Sequence, residues 1–138
     1  MKLDVNPTAE DFDELLAYLP VLYAHGFKAV NHWNGGTKTS DGTSLMPWPV
    51  YEGVVVSFFE VAAQKCWTDY EYTSKEAGTM LCEKQRVARA TLEEIKTMLT
   101  WCVRGERFCA GHWDAIINDG RIRSLLLRLL DIKSQLAV

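Results

Sequence analysis

The sequence predicts a mainly α-helical fold: a small bundle of about five to six helices with a short irregular or β-hairpin segment near residues 27–50. Two patterns carry this prediction. Apolar residues recur at spacings of three and four along most of the chain, the period of a helix with one buried face. Near residues 27–50 that period is lost, and glycine and proline pairs typical of turns replace it. A length of 138 residues suits one core, so we expect a single globular domain over residues 1–138.

The first helix is predicted to begin at Thr8, whose hydroxyl is suited to cap the first free amides. Asp11 follows three residues later, where a carboxylate favours the positive end of the helix dipole. Its apolar face consists of Phe12, Leu15, Leu16 and Leu19. Pro20 lacks an amide hydrogen and is expected to end or kink this helix, with one further turn before Gly26.

The middle of the chain predicts a different structure. Residues 27–33 and 43–46 are expected to form the two strands of a hairpin or an ordered loop, with turns at residues 34–36 and 41–42 and with Pro47 and Pro49 as breakers. The apolar run over residues 50–66 predicts a helix, because it is long and mostly continuous. An extended segment is expected over residues 67–72.

The last part of the chain carries the clearest helical pattern. A helix is predicted over residues 74–85. The next begins at Thr91, because Glu94 three residues later completes a capping box. Three antiparallel helices joined by tight turns are then expected to form the core, and the second of them is expected to stop at residues 118–120. Their apolar faces are Leu92, Ile95, Met98, Leu99, Cys102 and Val103; Phe108, Cys109, His112, Trp113, Ile116 and Ile117; and Ile122, Leu125, Leu126, Leu129, Leu130 and Leu136.

Composition and charge restrict the function classes. No signal-like segment or membrane-length apolar run is evident, which predicts a soluble cytoplasmic protein with its four cysteines reduced. The net charge of −3 is uneven: residues 1–83 are acidic, and every arginine lies after residue 83. Candidate nucleic-acid contacts are Arg86, Arg89, Arg121, Arg123 and Arg128. A sequence pI of about 5.6 favours a mixed surface over a nucleic-acid-binding face.

The candidate site is the crowded stretch over residues 103–113. The candidate ligand- or partner-binding residues are Arg104, Glu106, Arg107 and His112, facing a cleft with Trp48 or Tyr51. Local capping is the competing interpretation: Gly105 suits a left-handed helix stop, and Glu106 suits the start of the next helix. Guanidinium groups beside a helix start would also bind an anion. Cys102 is expected in the core, and the spacing of cysteine and histidine predicts no metal site or cofactor.

Two stretches resemble a family of small uncharacterised bacterial and phage-associated proteins that contain a domain of unknown function. These stretches are LMPWPVY at residues 45–51 and RGERFCAG at residues 104–111, the latter followed by DGRI at residues 119–122. The resemblance spans most of residues 12–132 and implies a fold but no activity.

These observations lead to three functional hypotheses. The first is a small non-enzymatic protein-binding or regulatory module of phage or mobile-element origin, acting as an inhibitor or adaptor, with another protein or a second copy as partner. The alternative is a small-molecule or anion-binding domain or enzyme that uses the Arg/Glu/His cleft. The third is a nucleic-acid-associated protein acting through the C-terminal arginines. No catalytic set is identifiable, so the sequence favours a role other than catalysis.

Overall fold

A computed structural model of the chain describes residues 6–36, 42 and 46–136, and it confirms the mainly α-helical fold class. Within these residues there are eight α-helices and a two-stranded antiparallel sheet. The helices are α1 (Ala9–Leu16), α2 (Leu19–Leu22), α3 (Gly53–Ala62), α4 (Ala77–Leu81), α5 (Lys84–Ala88), α6 (Leu92–Gly105), α7 (His112–Asn118) and α8 (Arg121–Leu136); the strands are β1 (Val30–Asn34) and β2 (Trp48–Tyr51). No helix in this part of the chain is long and apolar enough to cross a membrane.

The first helix begins as predicted. The Asp11 amide donates to the Thr8 hydroxyl at 3.2 Å, and the Thr8 amide donates to the Asp11 carboxylate at 2.8 Å. This reciprocal pair satisfies two amides that have no partner inside the helix. The break expected at Pro20 lies earlier, at residues 17–18. Pro20 itself lies in the first turn of α2, where an amide hydrogen is not needed.

A hairpin forms in the middle segment, but its second strand lies later than predicted. β1 overlaps the first predicted strand and pairs with β2, which places Trp33 opposite Pro49. Of the second predicted strand, residues 43–45 lie outside the described residues and Met46 is not in a strand. Pro49 was expected to break a strand, but β2 lies at the edge of a two-stranded sheet, where a missing amide donor is tolerated.

The segment between α3 and α6 is more broken than predicted. Single 3₁₀ turns at Lys65–Trp67 and Tyr72–Ser74 and a turn at residues 70–71 occupy most of this region, so the prediction of an extended segment over residues 67–72 is wrong except near Thr68. Hydrogen bonds to the Asp69 carboxylate, from the Thr97 hydroxyl at 2.6 Å and from Lys75 Nζ at 2.7 Å, hold this loop against α6. The single helix predicted over residues 74–85 is divided into α4 and α5.

Helix α6 lies at the centre of the molecule. Its capping box at Thr91 and Glu94 is present, and every residue from 95 to 100 is buried. It contacts α3, α4, α7 and α8. Helix α8 buries the residues predicted for the start of its apolar face, which are Ile122, Leu125, Leu126 and Leu129. Leu130 and Leu136 are exposed, so the predicted face extended too far.

The connection from α6 to α7 corrects three predictions. Helix α7 begins at His112, and both Phe108 and Cys109 lie in the preceding turn with exposed side chains rather than in the core. Gly105 is the last residue of α6, and its backbone is not left-handed. The left-handed residue is Gly111, with φ of 90°, which turns the chain into α7. Helix α7 ends at Asn118, and Gly120 is left-handed with φ of 86°, which confirms the predicted stop at residues 118–120.

Candidate functional site

Glu106 organises the turn between α6 and α7. Its carboxylate accepts hydrogen bonds from the backbone amides of Gly111 and Trp113, each at 2.8 Å, and from the Tyr51 hydroxyl at 2.7 Å. The two amides belong to the N-terminal end of α7, where free N–H groups favour a negative charge. Glu106 therefore does for α7 what a capping carboxylate does, although it lies at the end of α6 and reaches the amides across the turn.

Tyr51 ties the hairpin to this turn. Its hydroxyl donates to Glu106 and accepts from the Asp114 amide at 3.3 Å. Burial, and then the hydrogen bond to the Glu106 carboxylate, raise the pKa of Tyr51 well above its usual value. The phenol thus stays protonated and keeps its donor role at any ordinary pH. One hypothesis from the sequence has Glu106 facing a cleft with Trp48 or Tyr51, and in the structure the Tyr51 hydroxyl is bonded to Glu106.

Trp113 fixes α7 against the core. Its indole Nε1 donates to the carbonyl oxygens of Cys102 and Val103, and its ring stacks on Phe59 with centroids 4.2 Å apart and an interplanar angle of 9°. These contacts satisfy carbonyls near the end of α6 while burying two large aromatic rings. The inner side of the turn is therefore a packed frame.

His112 is enclosed between Gly105 and Trp101. A β-carbon on Gly105 would overlap the imidazole ring, and the ring meets Trp101 edge-on with centroids 4.7 Å apart. Its Nε2 is buried without a hydrogen-bond partner among the described residues. Desolvation, followed by the nearby Arg121 charge, lowers the pKa of His112 below its usual 6.5. The glycine at position 105 is required by this close approach and not by a left-handed backbone.

The two arginines that flank the turn lie on its outer side. The Arg104 guanidinium lies over the Tyr72 ring, 5.1 Å from its centroid, and the Arg107 side chain is exposed. Within the described part of the chain, neither guanidinium forms an ion pair or a hydrogen bond. Arg104, Arg107 and the Glu106 carboxylate therefore do not form one cluster.

Large apolar side chains are exposed on the hairpin. We call Trp33, Met46 and Trp48 the hairpin surface; their exposed fractions are 50%, 82% and 48%. The Trp33 ring approaches Gly111, and the Trp48 ring covers Gly35. Trp33 lies opposite Pro49, so it shares the face of the sheet that carries Tyr51, whereas Trp48 belongs to the other face.

A groove of about 530 Å³ lies between residues 72–79 and the last turns of α6. Tyr72, Trp101 and Phe108 supply aromatic surface, and Phe108 is 79% exposed. Gly78 packs against the Trp101 indole, where an added β-carbon would lie 3.3 Å from the ring. Sequence reasoning missed this groove because its walls come from separate segments. The available signal was Trp101, which lies one helical turn before Gly105.

Cysteine and histidine near this turn could in principle form a nucleophilic Cys109–His112 pair or a metal site, but neither geometry is assembled in the described residues. The Cys109 thiol is exposed, whereas the imidazole Nε2 of His112 is enclosed, and no hydrogen bond links the two side chains. Burial raises the pKa of the Cys102 thiol, which lies in the core as predicted. No three histidine, cysteine or acidic side chains of residues 6–36, 42 and 46–136 lie close enough to hold a metal ion.

Three of the five arginines considered for nucleic-acid binding make internal contacts through their side chains. Arg128 donates to the Ala90 carbonyl at 2.9 Å, and Arg121 pairs with Asp119 at 2.7 Å. Arg89, the residue that follows α5, donates to the carbonyl of Gln85 in that helix. Arg86 is partly buried and Arg123 is exposed. On α8, positions 121 and 128 share one side, whereas Arg123 lies on the opposite side.

Comparisons with known proteins identify the family but no activity. No curated protein and no solved structure matches the chain. A family model described as "Family of unknown function (DUF6508)" matches residues 7–135, which include the hairpin, the groove and the turn around Glu106. The sequence resemblance to an uncharacterised domain is therefore confirmed at the level of the family: the chain belongs to this family of unknown function.

Proposed function

We propose that this chain is a small non-enzymatic binding or regulatory module that contacts another protein through the hairpin surface. One observation carries the proposal: Trp33, Trp48 and Met46 are each about half exposed or more, on one short hairpin. Exposed large apolar groups mark interaction sites, and tryptophan is among the residues that contribute most to protein interfaces. Trp33 and Trp48 lie on opposite faces of the sheet, so the expected contact is centred on Trp48 and Met46.

The hydrogen bonds that attach the hairpin to the helices support this role. Tyr51 on β2 is bonded to Glu106 and to the Asp114 amide, so the strand that carries Trp48 is fixed to the helical body. A surface that is already ordered loses less conformational entropy when a partner binds. The exposed apolar side chains are therefore carried by a backbone that is already ordered before a partner binds.

The chemistry of the hairpin favours a protein over a nucleic acid. Neither β1, with sequence VNHWN, nor β2, with sequence WPVY, contains lysine or arginine. Proteins that stack bases on aromatic rings combine those rings with cations that follow the phosphates. The partner that fits is a protein with an apolar contact surface. As part of the same proposal, the module acts in the cytoplasm of a bacterium as an inhibitor or adaptor of phage or mobile-element origin.

Site-specific photo-crosslinking tests the proposal. A benzophenone amino acid replaces Trp48 in one variant and Tyr70 in a control, since Tyr70 is an aromatic residue that is more exposed than Trp48, 67% against 48%. In cells of the native host, we expect position 48 and not position 70 to yield a covalent adduct with a different protein. Equal adducts at both positions, or an adduct only with a second copy of the chain, would overturn the proposal.

The adduct identified by mass spectrometry then allows a quantitative test. With the partner purified, Trp48→Ser is expected to weaken binding by about thirtyfold or more, the effect of losing an interface hot spot. Tyr70→Ser serves as the matched control and should leave the dissociation constant unchanged. An unchanged affinity for Trp48→Ser would exclude the hairpin surface as the contact.

A further inference from the structure

We propose that the groove between residues 72–79 and α6 binds a small aromatic monocarboxylate. This inference goes beyond the protein-binding role, because the groove does not include the hairpin surface. It is a concave site of about 530 Å³, within the size range of small-molecule pockets.

The walls of the groove fit a flat apolar body. Tyr72 and Phe108 flank it, and the Trp101 indole packs against Gly78. Gly78 lies against the indole and the His112 ring occupies the position beside Gly105, so a ligand would contact the part of the Trp101 ring that lines the groove. Phe108 is 79% exposed, and a planar ligand between it and Trp101 would remove apolar surface of both rings from water.

Two unused donors lie in or next to the groove and fit a carboxylate: Trp101 lines the groove, and Arg104, which is not a lining residue, contacts Tyr72, which is one. The Arg104 guanidinium lies over Tyr72, 5.1 Å from the ring centroid, and forms no ion pair within the described residues. The indole Nε1 of Trp101 lies beside Gly78 and has no hydrogen-bond partner in that part of the chain. A guanidinium and a neutral N–H together match the two oxygens of one carboxylate.

The other charged groups restrict the ligand to a single negative charge. The Lys75 ammonium also lines the groove but is paired with Asp69 at 2.7 Å. Glu76 lines the groove and is exposed, so it opposes anions, and its repulsion grows with each negative charge that the ligand carries. A monocarboxylate therefore fits better than a phosphate dianion or a dicarboxylate.

Binding is tested with N-acetyl-L-tryptophan, monitored by the indole Nε1–H resonance of Trp101 in ¹H–¹⁵N spectra. We expect a saturable shift of this resonance and of amides in residues 72–79. N-acetyl-L-tryptophanamide, which lacks the carboxylate, should have a dissociation constant at least about tenfold higher. Absence of a shift at about 10 mM probe, equal binding of the amide, or tighter binding of AMP would overturn the proposal.

Two variants locate the ligand without disturbing the frame. Arg104→Gln should weaken binding of N-acetyl-L-tryptophan about tenfold, and Phe108→Ala about threefold, as expected for one charged and one aromatic contact. Arg123→Gln is the control, because it removes an exposed guanidinium from α8. Circular dichroism establishes that each variant is folded. Equal loss in Arg104→Gln and Arg123→Gln would show a general charge effect and contradict the proposal.

Discussion

Tyr51 and Trp48 lie three residues apart on β2, on opposite faces of the strand, and they have opposite environments. The Tyr51 hydroxyl is bonded to Glu106 and to the Asp114 amide, whereas Trp48 covers Gly35 and remains half exposed. One face of the strand belongs to the frame of the protein, and the other presents apolar surface. The comparison teaches that a single short element can both fix a surface and display it.

The turn between α6 and α7 shows the same division. On its inner side, the Glu106 carboxylate accepts three hydrogen bonds and the His112 ring is enclosed. On its outer side, Arg104 and Arg107 form no ion pair within the described residues, and Phe108 is exposed. The polar residues that lie close together over residues 103–113 thus divide into a group that holds the turn together and a group that faces solvent.

The largest effect on the frame is expected from Glu106→Ala. It removes an acceptor of two backbone amides and one phenol, and it leaves partly buried donors unpaired. We expect a loss of about 3 kcal/mol in the free energy of unfolding, measured with urea. Glu76→Ala removes an exposed carboxylate and should change stability by about 0.5 kcal/mol or less. If both variants had equal stability, the frame would not depend on Glu106.

Gly105→Ala is expected to have the next largest effect. A methyl group there would overlap the His112 ring, which Trp101 prevents from moving aside. We expect a loss of about 2 kcal/mol, although alanine in a helix normally gains about 0.5–1 kcal/mol over glycine. The control is Gly53→Ala, since nothing lies near that glycine. A gain in stability from Gly105→Ala would show that His112 is not held against α6.

The pH dependence of stability provides a smaller effect on the same region. The pKa of His112 is lowered in the folded state by desolvation and by Arg121, so the unfolded chain binds the proton more readily. The contribution of the neutral imidazole to the free energy of unfolding is complete above the usual pKa of 6.5 and is lost as the pH falls below that value. Urea unfolding between pH 7 and pH 5 should show a shallower decline in His112→Gln, which does not titrate, than in wild type. Parallel declines would contradict an enclosed imidazole.

Asp69 gives a separate effect at lower pH. Burial opposes its charge, but hydrogen bonds from Lys75, Thr97 and the Glu71 amide prevail and lower its pKa below its usual value of 3.8. The contribution of the Asp69 carboxylate to the free energy of unfolding is therefore present above its usual pKa and is lost as the pH falls through its pKa in the folded state. Thr97→Val should reduce this acid-dependent loss, measured as the change in unfolding free energy from pH 5 to pH 3. If the change in unfolding free energy were the same as in wild type, the Thr97 hydroxyl would not stabilise the Asp69 carboxylate.

Local sequence rules predicted the elements whose signals are local. The capping boxes at Thr8 and Thr91, the stop at residues 118–120 and the buried start of α8 all depend on residues within one or two turns of each other. The interpretation of Gly105 was wrong because its cause, the His112 ring, arrives from the next helix. Pro49 was mistaken for a strand breaker because the sequence does not show that β2 lies at a sheet edge.

The contacts that define the candidate site are long-range, and sequence reasoning reached them only in part. Tyr51 and Glu106 were both named as site residues, yet their hydrogen bond spans 55 positions. Asp69 and Thr97 are 28 positions apart, and neither carries a recognisable motif. Phe108 was expected in the core because its spacing from His112 fits a helix. The turn at Gly111 delays that helix and leaves the ring exposed.

The most direct test measures unfolding free energy and partner affinity together for the two residues of β2. Tyr51→Phe loses the hydrogen bond to Glu106 and is expected to lose about 1 kcal/mol of stability while retaining most of its affinity for the crosslinked partner. Trp48→Ser is expected to retain stability within about 0.5 kcal/mol and to lose about thirtyfold in affinity. This crossed result would establish that one face of the strand is frame and the other is contact surface. If both variants lost stability and kept affinity, Trp48 would belong to the frame, and the central claim would be wrong.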